Sequence, residues 1–184
     1  MGLGRKYFMK LGLRFDEVRL ESHTSEWNDE FIKVKKELMR HTNLEDYRIE
    51  HIGSTAIKDI PAKPIIDILV GVDDLQKVDK SLFKAFYEAD FLRLKVKRPG
   101  EIVLAKFTDD TYEEKTHFIH LVEYQKKEWN DRIFFRDYLN SYKEARDQYL
   151  DIKREYLKRS QVGVNEYTHF KEGFVEEILN KRNN

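Results

Sequence analysis

The sequence predicts an α+β protein: a small mixed sheet flanked by helices, with a helical extension at its C-terminal end. Three observations predict it. Apolar residues recur at helical spacing in two early segments, short β-branched runs bounded by turn residues fill the middle, and the pattern is helical from Asn130 onward. With 184 residues, the chain has the usual length of one domain. We read 1–184 as a single unit, with an α/β core over about 15–127 and the extension over about 128–184.

Each element has its own signal. Thr24-Ser25 supplies a capping pair, and Trp27, Phe31, Val34 and Leu38 follow at spacings of four, three and four, so residues 24–41 make an amphipathic helix. Tyr47 to Ile52 reads as a short strand ending at Gly53-Ser54, and the two prolines between Ala56 and Pro64 make the next stretch a loop. Ile65 to Val72 is a β-branched apolar run, the pattern of a buried strand. Leu75, Val78, Leu82 and Phe86 predict a second amphipathic helix directly after it. Three β segments follow, roughly Phe91–Val96, Ile102–Phe107 and Thr116–Tyr124, with Arg98-Pro99-Gly100 and Asp109-Asp110 as turns, so hairpin pairing is expected. Ser141-Tyr142-Lys143-Glu144 has the form of a capping box where one late helix stops and another starts, and Gly163 separates that helix from a third.

Composition narrows the function classes. Lys+Arg and Asp+Glu both number 34, so no global field favours nucleic acid or an anionic membrane. The absence of cysteine excludes disulfides, thiolate zinc sites and a Cys nucleophile, and fits a reducing, cytoplasmic setting. MGLGRKYFMK lacks the apolar core of a secretory signal, and Ile65–Val72, interrupted by Asp67, is far too short to cross a bilayer. The 10 Tyr and 12 Phe are read as core and helix-packing side chains, including the tyrosines at 138, 142, 149 and 156.

The chemistry concentrates in Ile49-Glu50-His51-Ile52-Gly53-Ser54-Thr55-Ala56 and in Pro61-Ala62-Lys63-Pro64-Ile65-Ile66-Asp67-Ile68-Leu69-Val70. A Gly-Ser at a strand end lets the backbone turn tightly and aims amides and a hydroxyl at one spot, an arrangement suited to phosphate. Lys63 adds a point charge nearby. Asp67 stands in the middle of an apolar strand, and a carboxylate there requires a cation, a metal or hydrogen-bond donors.

Gly53-Ser54, twelve intervening residues and Asp67-Ile68 resemble the signature of the polymerase-β-type nucleotidyltransferase superfamily. In that signature a second acid stands two residues after the first, and the acid pair holds the divalent ions that neutralise a nucleoside triphosphate. Here that position is Leu69. A broader resemblance is to the GrpB family, carried by Ile49 to Thr55 and Ala62 to Ile68. Glu26-Trp27, His120-Leu121-Val122-Glu123, Phe135-Arg136-Asp137-Tyr138-Leu139 and the Tyr149/Tyr156 helices extend it over roughly residues 15–180. The resemblance implies a nucleotidyltransferase-like fold and a relationship to the domain fused to some dephospho-CoA kinases. Ile57-Lys58-Asp59-Ile60 departs from it, standing where the family commonly has a Val-Pro-Gly-Leu-like turn.

The candidate catalytic residues are therefore Asp67, His120 and Glu123. Gly53, Ser54, Thr55, Lys63 and Arg136 are the candidate phosphate contacts, and Asp67, His120 and His51 the candidate metal ligands. His120 and Glu123 are three apart, so a regular strand turns them to opposite faces and only a bulge brings both to Asp67. Each residue also has a structural reading: Asp67 paired with a lysine or loop amides, Gly53-Ser54 a plain turn, Arg136 an ion pair with Asp137, His117 on the surface. Lys153 to Arg159 carries four cations with apolar residues between them, but its acids make it a solvated face rather than an RNA contact.

Three functions compete. In the first, the chain is a nucleotidyl or phosphoryl transferase assisted by Mg or Mn, with His120 or Glu123 replacing the missing acid. In the second it is a non-catalytic module for a nucleotide or another small anion, since Leu69 leaves too few carboxylates for two ions. In the third it is a scaffold whose helical tail makes a homodimer.

Overall fold

The computed structural model describes residues 9–183 apart from 16, 18 and 159–163, with 156–158, 164–170 and 183 described by backbone alone. Gly163 and Arg159, and the side chains of Tyr156, Leu157 and Lys158, therefore lie outside what is described. The described residues form six strands and five α-helices. In chain order these are β1 (Leu13–Arg14), α1 (Glu26–Thr42), β2 (Ile49–Ile52), β3 (Ile66–Val72), α2 (Lys80–Glu88), β4 (Leu92–Arg93), β5 (Ile102–Phe107), β6 (Glu114–Glu123), α3 (Lys127–Ser141), α4 (Lys143–Lys158) and α5 (Val164–Asn180).

The sheet runs β2-β3-β6-β5-β4, with β1 on β6. It is mixed: β3 and β6 are parallel, and the other pairs are antiparallel. Helices cover both faces, which is why β3 reads as a continuous apolar run rather than an alternating one. On one face Trp27, Phe31, Val34 and Leu38 of α1 and Phe86 of α2 bury against Ile49, Ile66, Ile68, Val70, Ile119 and Leu121. Each such side chain contributes about 1.5–3 kcal/mol by leaving water. On the other face Ile52, Leu69 and Val122 meet Trp129 of α3. A third cluster joins Ile57 and Ile60 of the loop before β3 to Leu139, Tyr149, Phe174 and Ile178 of α3, α4 and α5. The helical extension thus folds back over the sheet instead of projecting from it.

Local differences from the sequence reading have local causes. Leu75, Val78, Leu82 and Phe86 share one core, but Leu75–Lys77 is a 3-10 turn and α2 starts only at Lys80. Asp79 stops the helix from starting earlier, because its carboxylate accepts from the backbone N–H of Ser81 and Leu82. The expected strand over 91–96 shrinks to Leu92–Arg93, and Tyr47-Arg48 joins a 3-10 turn ahead of β2. The break between α3 and α4 falls at Tyr142 as expected, yet Ser141 makes no capping box: its hydroxyl donates to the Asp137 carbonyl in its own helix.

Candidate functional site

The register of β2 on β3 sets Ile52 opposite Asp67, so the chain leaves β2 directly over the carboxylate. Gly53 makes that exit at φ +73°, a conformation side chains rarely adopt, and a Cβ there would lie 2.3 Å from Asp67 Oδ2. Glycine is required twice at one position, for its backbone angle and for the space it leaves the acid. The Asp67 side chain is 29% exposed, whereas its neighbours in β3 are buried.

Asp67 begins a chain of charged groups. His120, on β6, directs Nε2 at Asp67 Oδ1 at 3.1 Å, and its Nδ1 meets Glu101 Oε1 in a short hydrogen bond. Arg132 of α3 donates to the other Glu101 oxygen at 2.9 Å. Both ring nitrogens of His120 face carboxylate oxygens, which only accept, so the geometry calls for a proton on each. Burial disfavours the charged ring, but the bonds to Asp67 and Glu101 outweigh it and the His120 pKa is raised. Glu101 shows the reciprocal effect: burial pushes its pKa up, while His120 and Arg132 hold it down at about 2.

Asp67 and His120 open into a cavity of about 420 Å³ between the sheet and the C-terminal helices. Gly53 and Ser54 line its sheet side together with them, and the charged residues of its helical side are Arg132, Arg136 and Lys171 with the acids Glu128 and Asp131. A carboxylate floor facing a wall of three cations and two acids suits a ligand with a hydroxyl or amine at one end and an anionic group at the other.

The sequence candidates separate accordingly. Ser54 lines the cavity, where its hydroxyl meets the Tyr149 hydroxyl at 3.2 Å. Arg136 also lines it, but pairs with Glu50 at 2.6 Å and Asp137 at 2.8 Å and donates to the His51 carbonyl. Glu123 is turned away, because β3 and β6 stay in register through it without a bulge; its carboxylate accepts from the Leu75 N–H near α2. His51 lies opposite Ile68, on the α1 face, where it stacks on Phe31 at 4.8 Å. Burial there pushes its pKa down to about 4. Thr55 is buried beside it, donating to the Ile65 carbonyl and bonded to His51 Nε2, so it faces no ligand. Lys63 is exposed and outside the cavity lining. His117, expected on the surface, is 3% exposed, with Glu30 at 3.4 Å.

As a metal centre this donor set does not fit. His120 spends both nitrogens on carboxylates, His51 and Glu123 are on the far face, and Leu69 is fully buried among Ile52, Val122 and Trp129. No group of three or more His, Cys, Asp or Glu placed to hold an ion occurs among the described residues.

Sequence reasoning missed Glu101, Arg132 and Lys171, and it placed Lys153 on a solvated helix face, whereas that lysine is buried. Glu101 follows a Pro-Gly turn and resembles part of it. Arg132 carried a usable signal: Glu128, Arg132 and Arg136 recur every four residues on α3, a charged stripe on a helix that Trp129 and Leu139 show to be packed. Lys153 is buried behind Tyr149, 4.7 Å from its ring centroid, with Nζ donating to the Pro61 carbonyl. Burial and the nearby Lys171 push its pKa down to about 7.

A family profile described as GrpB protein matches residues 17–181. The chain is 42% identical over 172 residues to the glutamate-rich protein GrpB of Alkalihalophilus pseudofirmus, covering 93% of this chain and 99% of that one. A UPF0157 protein of Streptomyces coelicolor is 25% identical over 90% of this chain and 84% of its own. The crystal structure of a conserved protein GrpB from Enterococcus faecalis superposes with a TM-score of 0.74 at 24% identity, over 90% of this chain and 100% of that chain, a likeness of fold. No helix among the described residues is long and apolar enough to cross a membrane.

Proposed function

This chain belongs to the GrpB family, and from that premise we propose that it binds a phosphate-bearing small molecule of the nucleotide class in the cavity beneath Gly53. One observation carries the reading: the Asp67 carboxylate forms the floor of a cavity of about 420 Å³ whose helical wall brings together Arg132, Arg136 and Lys171, beside Glu128 and an Asp131 already held by Lys127 and Arg182. That volume falls within the usual range of about 300–1,000 Å³ for small-molecule sites. A phosphate meets the helical wall, and a ribose hydroxyl or base amine donates to Asp67. His120, held between two carboxylates, places a positive charge against Asp67 and fixes its side chain at the cavity floor. A Mg or Mn ion enters, in this reading, with the ligand's phosphates rather than on resident ligands.

The hydrogen-bonded chain behind Asp67 supports a second reading, in which Asp67 is the general base of a phosphoryl or nucleotidyl transfer. Leu69 stands against the two-ion version of that chemistry, because its side chain is closed in by Trp129. Calorimetric titration with AMP, ADP and ATP, with and without Mg and Mn, tests the first reading. Binding that Arg132→Ala abolishes supports it; no heat from any nucleotide overturns it. A turnover assay with Asp67→Asn separates the two, since the variant loses all turnover only if Asp67 is the base.

A further inference from the structure

We propose that the ligand is bipartite, and that a second, basic hollow along the β4 edge of the sheet holds its other phosphate-bearing part. This rests on the reading of the main cavity as a phosphate site. The hollow measures about 440 Å³ and is walled by Arg93, Val96, Lys97, Arg98 and Glu101. Arg98 lines this hollow and the main cavity alike, so the two are neighbours across one side chain. Glu101 is the partition: its oxygens bond inward to His120 and Arg132, and only Arg98, at 3.7 Å, pairs with it from the hollow's side, which leaves Arg93 and Lys97 as the hollow's cations without a share in that carboxylate.

The charge here is local. The whole chain is neutral, yet residues 91–100 carry Arg93, Lys95, Lys97 and Arg98 and no acid. Some exposed lysines elsewhere sit in ion pairs, as Lys33 does with Glu30, Lys77 with Asp74 and Lys143 with Asp147, while others such as Lys36 and Lys80 stand apart on helix surfaces and line neither hollow. Lys95 and Lys97 are exposed and have no such partner among the described residues. Arg93 lays its guanidinium over the Phe83 ring at 4.7 Å, a packing that fixes the plane and leaves its N–H edge for an anion. Like charges held together against their mutual repulsion, beside a lined hollow, fit a polyphosphate or a second nucleotide better than a solvated edge.

Titration of AMP and of diadenosine tetraphosphate at one ionic strength tests this, using the wild type, Arg93→Ala/Lys97→Ala, and Lys36→Ala/Lys80→Ala as a charge-matched control on α1 and α2. The dinucleotide is expected to bind about tenfold more tightly than AMP to the wild type and the control, and within about twofold of AMP to Arg93→Ala/Lys97→Ala, with AMP unchanged throughout. A wild type that does not distinguish the two ligands, or an advantage that survives in Arg93→Ala/Lys97→Ala, overturns the proposal. Dinucleotide binding that depends on Arg93 and Lys97 while AMP never binds keeps the hollow and removes the main cavity's reading. No binding of either ligand removes both.

Discussion

At the scale of single residues, the site depends on one glycine and one imidazolium. Gly53→Ala places a methyl against Asp67 Oδ2 and forces a side chain to φ +73°, ψ −170°; the backbone strain alone costs about 1–3 kcal/mol, so a lower melting temperature and lost ligand binding are expected together. Glu101→Gln removes one of the two carboxylates that raise the His120 pKa. A raised folded-state value means that His120 stabilises the fold fully below its ordinary pKa of 6.5 and less as pH climbs through the raised value. In Glu101→Gln this loss moves to lower pH, which an NMR titration of the His120 ring reads directly; an unmoved titration contradicts the chain of bonds. His51 has the opposite sign. Its pKa falls from 6.5 to about 4, so the folded state resists protonation and loses stability as pH drops across that interval. At about 1.4 kcal/mol per unit the loss approaches roughly 3 kcal/mol, and His51→Phe, which keeps a ring against Phe31, should flatten that limb of the denaturation profile.

Between elements, what matters is which face of the sheet a strand residue takes. Leu69 is where the nucleotidyltransferase signature has its second acid, and it packs under α3 with Trp129. Leu69→Asp therefore buries an unpaired carboxylate, which costs several kcal/mol, and is predicted to lower the melting temperature without any recovery on adding Mn. Recovery by Mn would mean that an ion site exists there. The strands and helices that bury apolar stripes were legible in the sequence: α1 and β5 fall almost where periodicity puts them, and Gly53 and Asp67 announce themselves because each breaks the rule of its surroundings. Glu101 and Arg132 did not, since their bonds join positions 19 and 31 apart along the chain and exist only once β5, β6 and α3 have packed. Alternation alone predicted that Glu123 and His120 part company, and continuous pairing of β3 with β6 realises it. The face taken by His51 needed the register itself, and the inward turn of Thr55 needed the 3-10 turn that follows Gly53.

Across the whole molecule, the helical extension makes a cavity out of what is otherwise one face of a sheet. Arg132 and Arg136 come from α3, Tyr149 from α4 and Lys171 from α5, all facing a floor built by β2, β3 and β6. Because the chain is neutral as a whole, ligand affinity must come from this local arrangement, and it should weaken with added salt only as far as one or two phosphate contacts require. The most direct test is a calorimetric titration of AMP into the wild type and Asp67→Asn. Saturable binding to the wild type, weakened about tenfold or more in Asp67→Asn, is the predicted result; equal binding by both proteins would show that the ligand sits elsewhere and contradict the assignment of the Asp67 cavity.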